Sequence, residues 1–311
     1  MMNTKPTTKE ALNRAIGLTG DALRSAETRR SYLRALGAFE TWLLEHADDT
    51  PDLPPISYDL VTQYMRHLER SGKSVSVRIQ ALAAIKKLCM IFRNQGRLDL
   101  YVYTIIKGIE PDKSVPHLKG QFIPESDIDQ MLQTCRTDET PAGLRDGSII
   151  SLLHCTGMRR GECVALTVGD LDLEPRRIII RNPKNKKDRS AFFNEGAEHY
   201  LKDWLAVRGP SDGPLYWRIK KGGNLCYGIG ISAQAIYHIL AKRCKKAKLE
   251  TTYAPHDLRR TLISNLLNQD IDLPLVSRIV GHSSPVVTAK YDKRPEEEMK
   301  RAVNKIYTPF A

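Results

Sequence analysis

Apolar residues in the N-terminal third of the chain recur at helical spacing. Tyr32, Leu33, Leu36, Phe39, Trp42 and Leu43 form one stripe between Ser25 and about residue 46, with Ser25 placed to cap it. The Pro-rich run DDTPDLPPIS ends that helix. A second stripe, Leu60, Val61, Tyr64, Met65 and Leu68, predicts a helix from Tyr58 to Arg70 that stops at Gly72. Ile79, Leu82, Ile85, Cys89 and Phe92 predict a third over about 76–93, and a fourth is expected from Leu98 to Lys107. Four amphipathic helices make a small bundle over 25–108, with residues 1–24 expected as a flexible arm. The stretch IEPDKSVPHLKGQ, residues 109–121, holds two prolines, a glycine and no apolar period, so it reads as a linker.

After residue 121 the pattern is mixed. Pro124 to Cys135 reads as a helix with acidic residues in its first turn, where the helix dipole favours them, and Leu144 to His154 as a strongly apolar helix. Two β-rich runs, Arg177–Arg181 and Ser190–Phe193, flank the polar turn NPKNKKDR and predict a hairpin. A helix follows from Ala197 to Val207. Leu215-Tyr216-Trp217 reads as a short buried segment and KKGGNLCYGIG as a loop. Ser232 caps a helix to about Lys248, and Pro295 to Ile306 carries one more amphipathic stripe. The expected fold class is mainly α with a small β-sheet: an N-terminal helical bundle, then an α+β domain over 122–311.

The formal charge of +12 and a pI near 9.4 point to a polyanionic partner. No run of 18 apolar residues occurs, and the N-terminus lacks the apolar core of a signal peptide, so a cytoplasmic, nucleoid-associated protein is expected. Six cysteines, at 89, 135, 155, 163, 226 and 244, show no CxxC and no zinc-type spacing, so reduced thiols and no metal are expected.

The candidate chemistry lies near the C-terminus. In HDLRR, His256 and Arg259 are three residues apart and share one helix face. GHSS then supplies His282, and Tyr291 follows nine residues later. Two imidazoles and a guanidinium converging on one spot suit an anion that gains charge during reaction, as a phosphodiester does. A phenol beside them can act as the nucleophile. Taken alone, an HxxR pair is weak, because His and Arg are common on exposed helix faces.

The order HDLRR, GHSS, Tyr291 resembles the C-terminal signature of the tyrosine recombinases, the family of phage integrases and bacterial Xer resolvases. Upstream, TGMRRGECVALTVGDLDL resembles that family's first-arginine motif and places its arginine on Arg159 and an acidic partner on Glu162. The family carries a lysine on the β-turn, which aligns with Lys184, leaving Lys186 and Lys187 as phosphate contacts. The bundle resembles the family's core-binding domain, which closes on duplex DNA as a clamp. Arg260 and Asp270 depart from the pattern, standing where a second histidine and a glycine are frequent; Asp270 leaves the helix end there undecided.

The resemblance implies an enzyme that breaks and rejoins double-stranded DNA through a 3′-phosphotyrosyl intermediate on Tyr291, without metal, ATP or other cofactor. Arg159, Arg259 and His282 would hold the phosphate, His256 would take the phenol proton, Lys184 would protonate the departing oxygen, and Glu162 would orient the cluster. Arg181, Arg243, Lys245 and Lys246 join Lys186 and Lys187 as expected DNA contacts, the helix that starts at Ser232 ending in the basic run AKRCKKAK. A homotetramer on two duplexes, joined through the C-terminal helix, and accessory DNA-bending proteins complete the expected partners. The alternatives are a telomere resolvase or type IB topoisomerase with the same chemistry, and a DNA-binding regulator that cuts nothing. A His-based metallohydrolase lacks HExxH or clustered carboxylates.

Overall fold

In a computed structural model, residues 7–45, 52–53, 56–112, 120–181, 188–282, 284–292, 300 and 303–304 are described. The chain forms two compact units, Met1–Lys119 and Gly120–Ala311.

In the first unit, β1 (Thr7–Thr8) leads into α1 (Lys9–Asp21), followed by α2 (Ala26–Glu45), β2 (Asp52–Leu53), α3 (Tyr58–Arg70), α4 (Val75–Asn94) and α5 (Leu100–Gly108). Strands β1 and β2 pair antiparallel. The predicted stripes are the buried faces: Leu36, Phe39, Trp42, Val61, Tyr64, Leu82, Ile85 and Phe92 lie in one core. Side-chain oxygens start the helices, Ser57 Oγ accepting from Leu60 N at 3.2 Å and Asp99 Oδ1 from Tyr101 N at 2.7 Å.

One expectation is corrected here. Residues 9–21 of the expected arm form α1, whose Leu12 and Ala15 are fully buried in the same core. Leu12, Ala15, Ile16 and Thr19 follow helical spacing, and the Thr19 hydroxyl satisfies itself on Ala15 O at 2.8 Å, which lets a polar residue complete an otherwise short stripe.

The second unit is built on α7. It comprises α6 (Glu125–Arg136), α7 (Pro141–Thr156), α8 (Arg160–Ala165), β3 (Leu171–Asp172), β4 (Arg177–Ile180), β5 (Arg189–Phe192), α9 (Glu195–Arg208), β6 (Trp217–Ile219), β7 (Leu225–Gly230), α10 (Ala233–Lys246), α11 (Pro255–Asn268), α12 (Leu273–Val280) and α13 (Pro285–Ala289). Helix α7 is buried along most of its length and packs on α6, α9 and α11, which is why apolar residues lie on every side of it and even Arg145, Asp146, Ser148 and Ser151 are buried. The predicted hairpin is present as β4–β5, in register Ile178 with Ala191 and Ile180 with Arg189, and β3 extends it to three antiparallel strands.

The expected loop at 220–230 contains β7, which pairs with β6 through Ile219 and Leu225. Cys226 and Leu225 are only half-buried and the rest of the strand is exposed, so no apolar alternation marks it; backbone pairing alone defines it. Helix α11 ends at Asn268, and the chain turns away from it at Asp270, which takes φ +62°, the left-handed conformation that glycine adopts at no cost and Asp tolerates. Among the described residues no helix is long and apolar enough to cross a membrane.

Candidate active site

Helix α7 terminates at Gly157 with φ +58°, and a Cβ there would press on Leu262 at 2.9 Å. The turn sends the chain through buried Met158 to Arg159, the residue that opens α8. Arg159 N donates to Glu162 Oε2 at 2.9 Å and Arg159 Nη1 to Glu162 Oε1 at 2.9 Å, while both terminal nitrogens reach Gly281 O at 3.3 Å. Burial works against the charge of Glu162, but the Arg159 N–H and the Arg189 and Arg159 guanidinium groups outweigh it, and the carboxyl lies below its ordinary range.

Arg189, the first residue of β5, is the member of this cluster that the sequence reading passed over. Its Nη2 donates to Glu162 Oε2 at 2.9 Å and its Nη1 to Ile279 O at 3.0 Å. It covers Gly281, where a Cβ would overlap the Arg189 guanidinium and where φ is +69°, so the residue before His282 has to be glycine on both counts. Arg159 and Arg189 thus hold the Gly281 turn from two sides.

Helix α11 starts with Pro255 in its first turn and with Asp257 Oδ2 accepting from Ala254 N at 2.8 Å. His256 and Arg259 follow one turn apart. Arg259 is 2% exposed; its Nη1 donates to Gly157 O at 2.6 Å, and its Nη2 finds no partner among the described residues. Burial and then the charge of Arg159 pull this guanidinium down to about 10. A buried N–H without an acceptor costs about 1–3 kcal/mol, and a guanidinium in that state suits an anionic ligand.

His282 follows the end of α12. Its backbone N donates to Ser277 O at 3.0 Å, and its Nδ1 lies 2.8 Å from Thr288 Oγ1. Burial, then Arg259 and Arg159, lowers its pKa to about 4. Helix α13 carries the chain on to Tyr291, which is 7% exposed and whose ring stacks on His282 with centroids 6.3 Å apart. Tyr291 Oη lies 3.3 Å from His256 Nε2. Burial and the Arg259 charge lower His256 below the ordinary histidine value, so it is neutral and able to accept a proton at pH 7.

The six residues Arg159, Glu162, His256, Arg259, His282 and Tyr291 therefore come together, with one carboxylate against three arginines once Arg189 is included. The surplus of positive charge awaits an anion. Lys184, Lys186 and Lys187 lie outside the described residues. Arg181 is exposed, with its Nε 2.6 Å from Asp170 Oδ1, and Lys245 is exposed. Lys246 is exposed but pairs with Asp138 at 2.8 Å.

Arg243 does not fit the expected DNA contact. It is fully buried, with Nε and Nη2 on Asp146 Oδ2 at 2.9 and 2.7 Å and Nη1 on Thr134 O at 2.8 Å. Its donors are spent inside the fold. Ile236, Ile239, Leu240, Arg243 and Cys244 form the buried stripe of α10, which turns Arg243 into the fold, where it shares Asp138 with Lys246 at the edge of that stripe. Among the described residues, no three His, Cys, Asp or Glu side chains group as metal ligands would.

Comparison with known proteins bears on this arrangement. Residues 121–298 match the phage integrase family, and residues 17–96 match the SAM-like N-terminal domain of phage integrases. The chain is 27% identical to the tyrosine recombinase XerC of Bacillus subtilis over 248 residues, which cover 78% of this chain and 76% of the relative. It is 26% identical to the XerC of Pediococcus pentosaceus over 299 residues, covering 93% and 95%. Among solved structures, it is similar in fold to the XerH site-specific recombinase bound to a palindromic difH substrate (TM-score 0.69, 20% identity, 94% of this chain and 83% of that one). It is also similar to a lambda integrase dimer bound to a COC′ core site (TM-score 0.67, 12% identity, 91% and 95%). The family match spans more than half of the chain and contains every residue of the cluster, and the chain belongs to the phage integrase family.

Proposed function

We propose that this chain is a site-specific recombinase that cleaves and rejoins double-stranded DNA through a covalent link to Tyr291. The observation that carries the reading is the approach of Tyr291 Oη to His256 Nε2, 3.3 Å, beside the unpartnered Arg259 Nη2. A phenol of ordinary pKa about 10 needs a proton acceptor to attack at neutral pH, and a neutral imidazole at that distance is one.

In the proposed reaction Tyr291 Oη attacks the phosphorus of a DNA phosphodiester as its proton passes to His256 Nε2. Arg159 and Arg259 hold the non-bridging oxygens, where charge grows in the transition state, in the forked geometry that guanidinium groups supply. The proposed tautomer of neutral His282 carries its proton on Nε2, offered to the same phosphate, with Nδ1 accepting from Thr288 Oγ1, which lies 2.8 Å away. The bond from phosphorus to the 5′-oxygen breaks, and Lys184 protonates the departing alkoxide. A 3′-phosphotyrosyl link remains. A 5′-hydroxyl attacking that link reverses each step, so the bond energy is conserved and the proposal needs neither ATP nor a metal ion.

Arg181, Lys186, Lys187, Lys245 and Lys246 would contact phosphates along the duplex, and the N-terminal unit, Met1–Lys119, would close on the other side of the DNA as a clamp. Exchange between two duplexes requires four such chains, with residues 295–306 as the proposed link between neighbours and DNA-bending proteins as accessory partners. The proposed place of action is the bacterial nucleoid, in the cytoplasm.

The test is a target site carrying a nick that traps the covalent species. The parent protein accumulates a protein–DNA adduct, and Tyr291→Phe binds the site equally well and forms none. An adduct formed by Tyr291→Phe would assign the nucleophile to another phenol and overturn the reading.

A further inference from the structure

Arg260 stands next to Arg259 in α11 and serves neither Glu162 nor the Gly281 turn. Its Nη1 donates to Gly120 O at 2.7 Å, and its Cζ lies 5.8 Å from the centroid of the Tyr291 ring. The acceptor end of this contact is firmly placed. Gly120 approaches so closely that a Cβ on it would sit 2.9 Å from Asp257 Oδ1, and its φ of +143° also calls for glycine. Gln121 N donates to Asp257 Oδ1 at 2.9 Å, and Ile123 N donates to Thr261 Oγ1 at 2.9 Å. Residues 120–123 are thereby fastened to the first turns of α11, the turns that present His256 and Arg259.

The nucleophile Tyr291 packs with Ile263, Leu267, Val276 and Val280 in a buried apolar cluster. Its hydroxyl has the 3.3 Å contact to His256, and its ring meets the face of His282 and the guanidinium of Arg260. A cation over an aromatic ring is attracted by the ring's quadrupole, and a reacting group displaced by about 1 Å can lose on the order of a hundredfold in rate. We infer that Arg260, anchored on the Gly120 carbonyl, is a positioning residue for Tyr291, holding the phenol ring where its oxygen meets His256 and the phosphate. Arg260 touches no reacting atom in this role. It ties the first residue of the second unit to the nucleophile.

This inference rests on the proposed role of Tyr291, and the experiment separates the two. Arg260→Gln keeps an N–H for the Gly120 carbonyl and removes the cation; Arg260→Lys keeps a cation. Single-turnover adduct formation is measured on the nicked site at saturating protein, alongside affinity for the intact site, with Tyr291→Phe as control. Arg260→Gln is expected to form the adduct about tenfold more slowly with unchanged affinity, and Arg260→Lys to recover most of that rate. The same assay on DNA whose departing 5′-oxygen is replaced by sulfur tests which half-step is affected, because a thiol leaves without a proton donor. Misplacement of the nucleophile slows both substrates alike. Parent-like rates for Arg260→Gln, equal slowing by Gln and Lys, or rescue by sulfur would each overturn the positioning role, whereas an adduct on Tyr291→Phe would overturn the reading beneath it.

Discussion

Arg189 Nη2 donates to Glu162 Oε2 at 2.9 Å, and the other oxygen of that carboxylate receives Arg159 Nη1 at the same distance. Both partners are about four-fifths buried, so removing Glu162 strips Arg189 of its counter-charge, and removing Arg189 leaves Glu162 with Arg159 alone. Glu162→Gln and Arg189→Met are each expected to slow cleavage at least tenfold and to destabilise the fold by about 1–3 kcal/mol. The two act on one contact, so a double-mutant cycle of unfolding free energies should show a coupling of about 0.5–3 kcal/mol. Additive losses would mean that Arg189 supports Gly281 without acting through Glu162.

The two histidines give the unliganded protein a defined acid sensitivity. His282 is lowered to about 4 by burial and by Arg259 and Arg159, and His256 is lowered by burial and by Arg259. An unfolded histidine titrates near 6.5, so between about pH 6.5 and 4 the unfolded chain binds more protons than the folded one, and stability falls as pH falls. Above pH 6.5 this contribution is fully present. Thermal unfolding from pH 7.5 to 4.5 is expected to show a declining midpoint, and His282→Asn should flatten the decline. A bound DNA phosphate favours imidazolium and should weaken the dependence further. A midpoint as steep in His282→Asn as in the parent would place the titrating groups elsewhere.

Much of this architecture is legible in the chain because local chemistry and burial agree. Helix α3 lies where the stripe from Leu60 to Leu68 and the break at Gly72 say, and the Ser57 cap seen in the structure agrees with both. HDLRR places two cluster residues by spacing alone, as α11 presents them. Arg189 was not legible for a physical reason: its role depends on β5 pairing with β4 and then meeting the end of α12, contacts distant in sequence. In the text of the chain it is one more basic residue in a basic turn. Arg243 shows the opposite case, a charge whose burial is written in the spacing Ile236, Ile239, Leu240, Arg243, Cys244 but is masked by its lysine neighbours.

That burial separates Arg243 from the lysines around it in experiment. Arg243→Met leaves Asp146, which is 1% exposed, with Arg145 on one oxygen and nothing from α10 on the other, and an unsatisfied buried acceptor of this kind costs about 1–3 kcal/mol. Lys245→Ala removes an exposed charge and should leave stability within about 0.5 kcal/mol while lowering the salt dependence of DNA binding by roughly one phosphate contact. The pair of measurements is denaturant unfolding and a salt titration of affinity. A stable Arg243→Met with weakened DNA binding would contradict the assignment.

Residues 295–306 carry Met299, Ala302, Val303 and Ile306 at helical spacing directly after the nucleophile. If this stripe is covered by a neighbouring copy in the assembly, truncation after Arg294 should weaken pairing of two sites far more than binding to one. Gel-shift assays on one and two duplexes compare the two. Equal pairing by the truncated chain would remove this segment from the assembly.

The least anchored role is that of Lys184, assigned from the turn between β4 and β5. The departing 5′-oxygen is an alcohol, with a proton affinity near that of water, pKa about 15.7, so it cannot leave readily as the alkoxide. A lysine can supply the proton, and in a site already crowded with arginines its own proton is more easily given up. Lys184→Ala is therefore expected to bind DNA normally and to cut it very slowly. Replacing the departing oxygen by sulfur gives a leaving group of pKa about 8.5, which needs no acid, and should restore cleavage by Lys184→Ala toward the parent rate. The same substrate should leave Arg260→Gln slow, because that variant is defective in placing the nucleophile. Lys186→Ala and Lys187→Ala should show only weaker, salt-sensitive binding. Rescue of Lys186→Ala or Lys187→Ala instead would shift the acid along the turn by two or three residues, and rescue of none of the three would move the role to His256, the other proton carrier beside the phosphate.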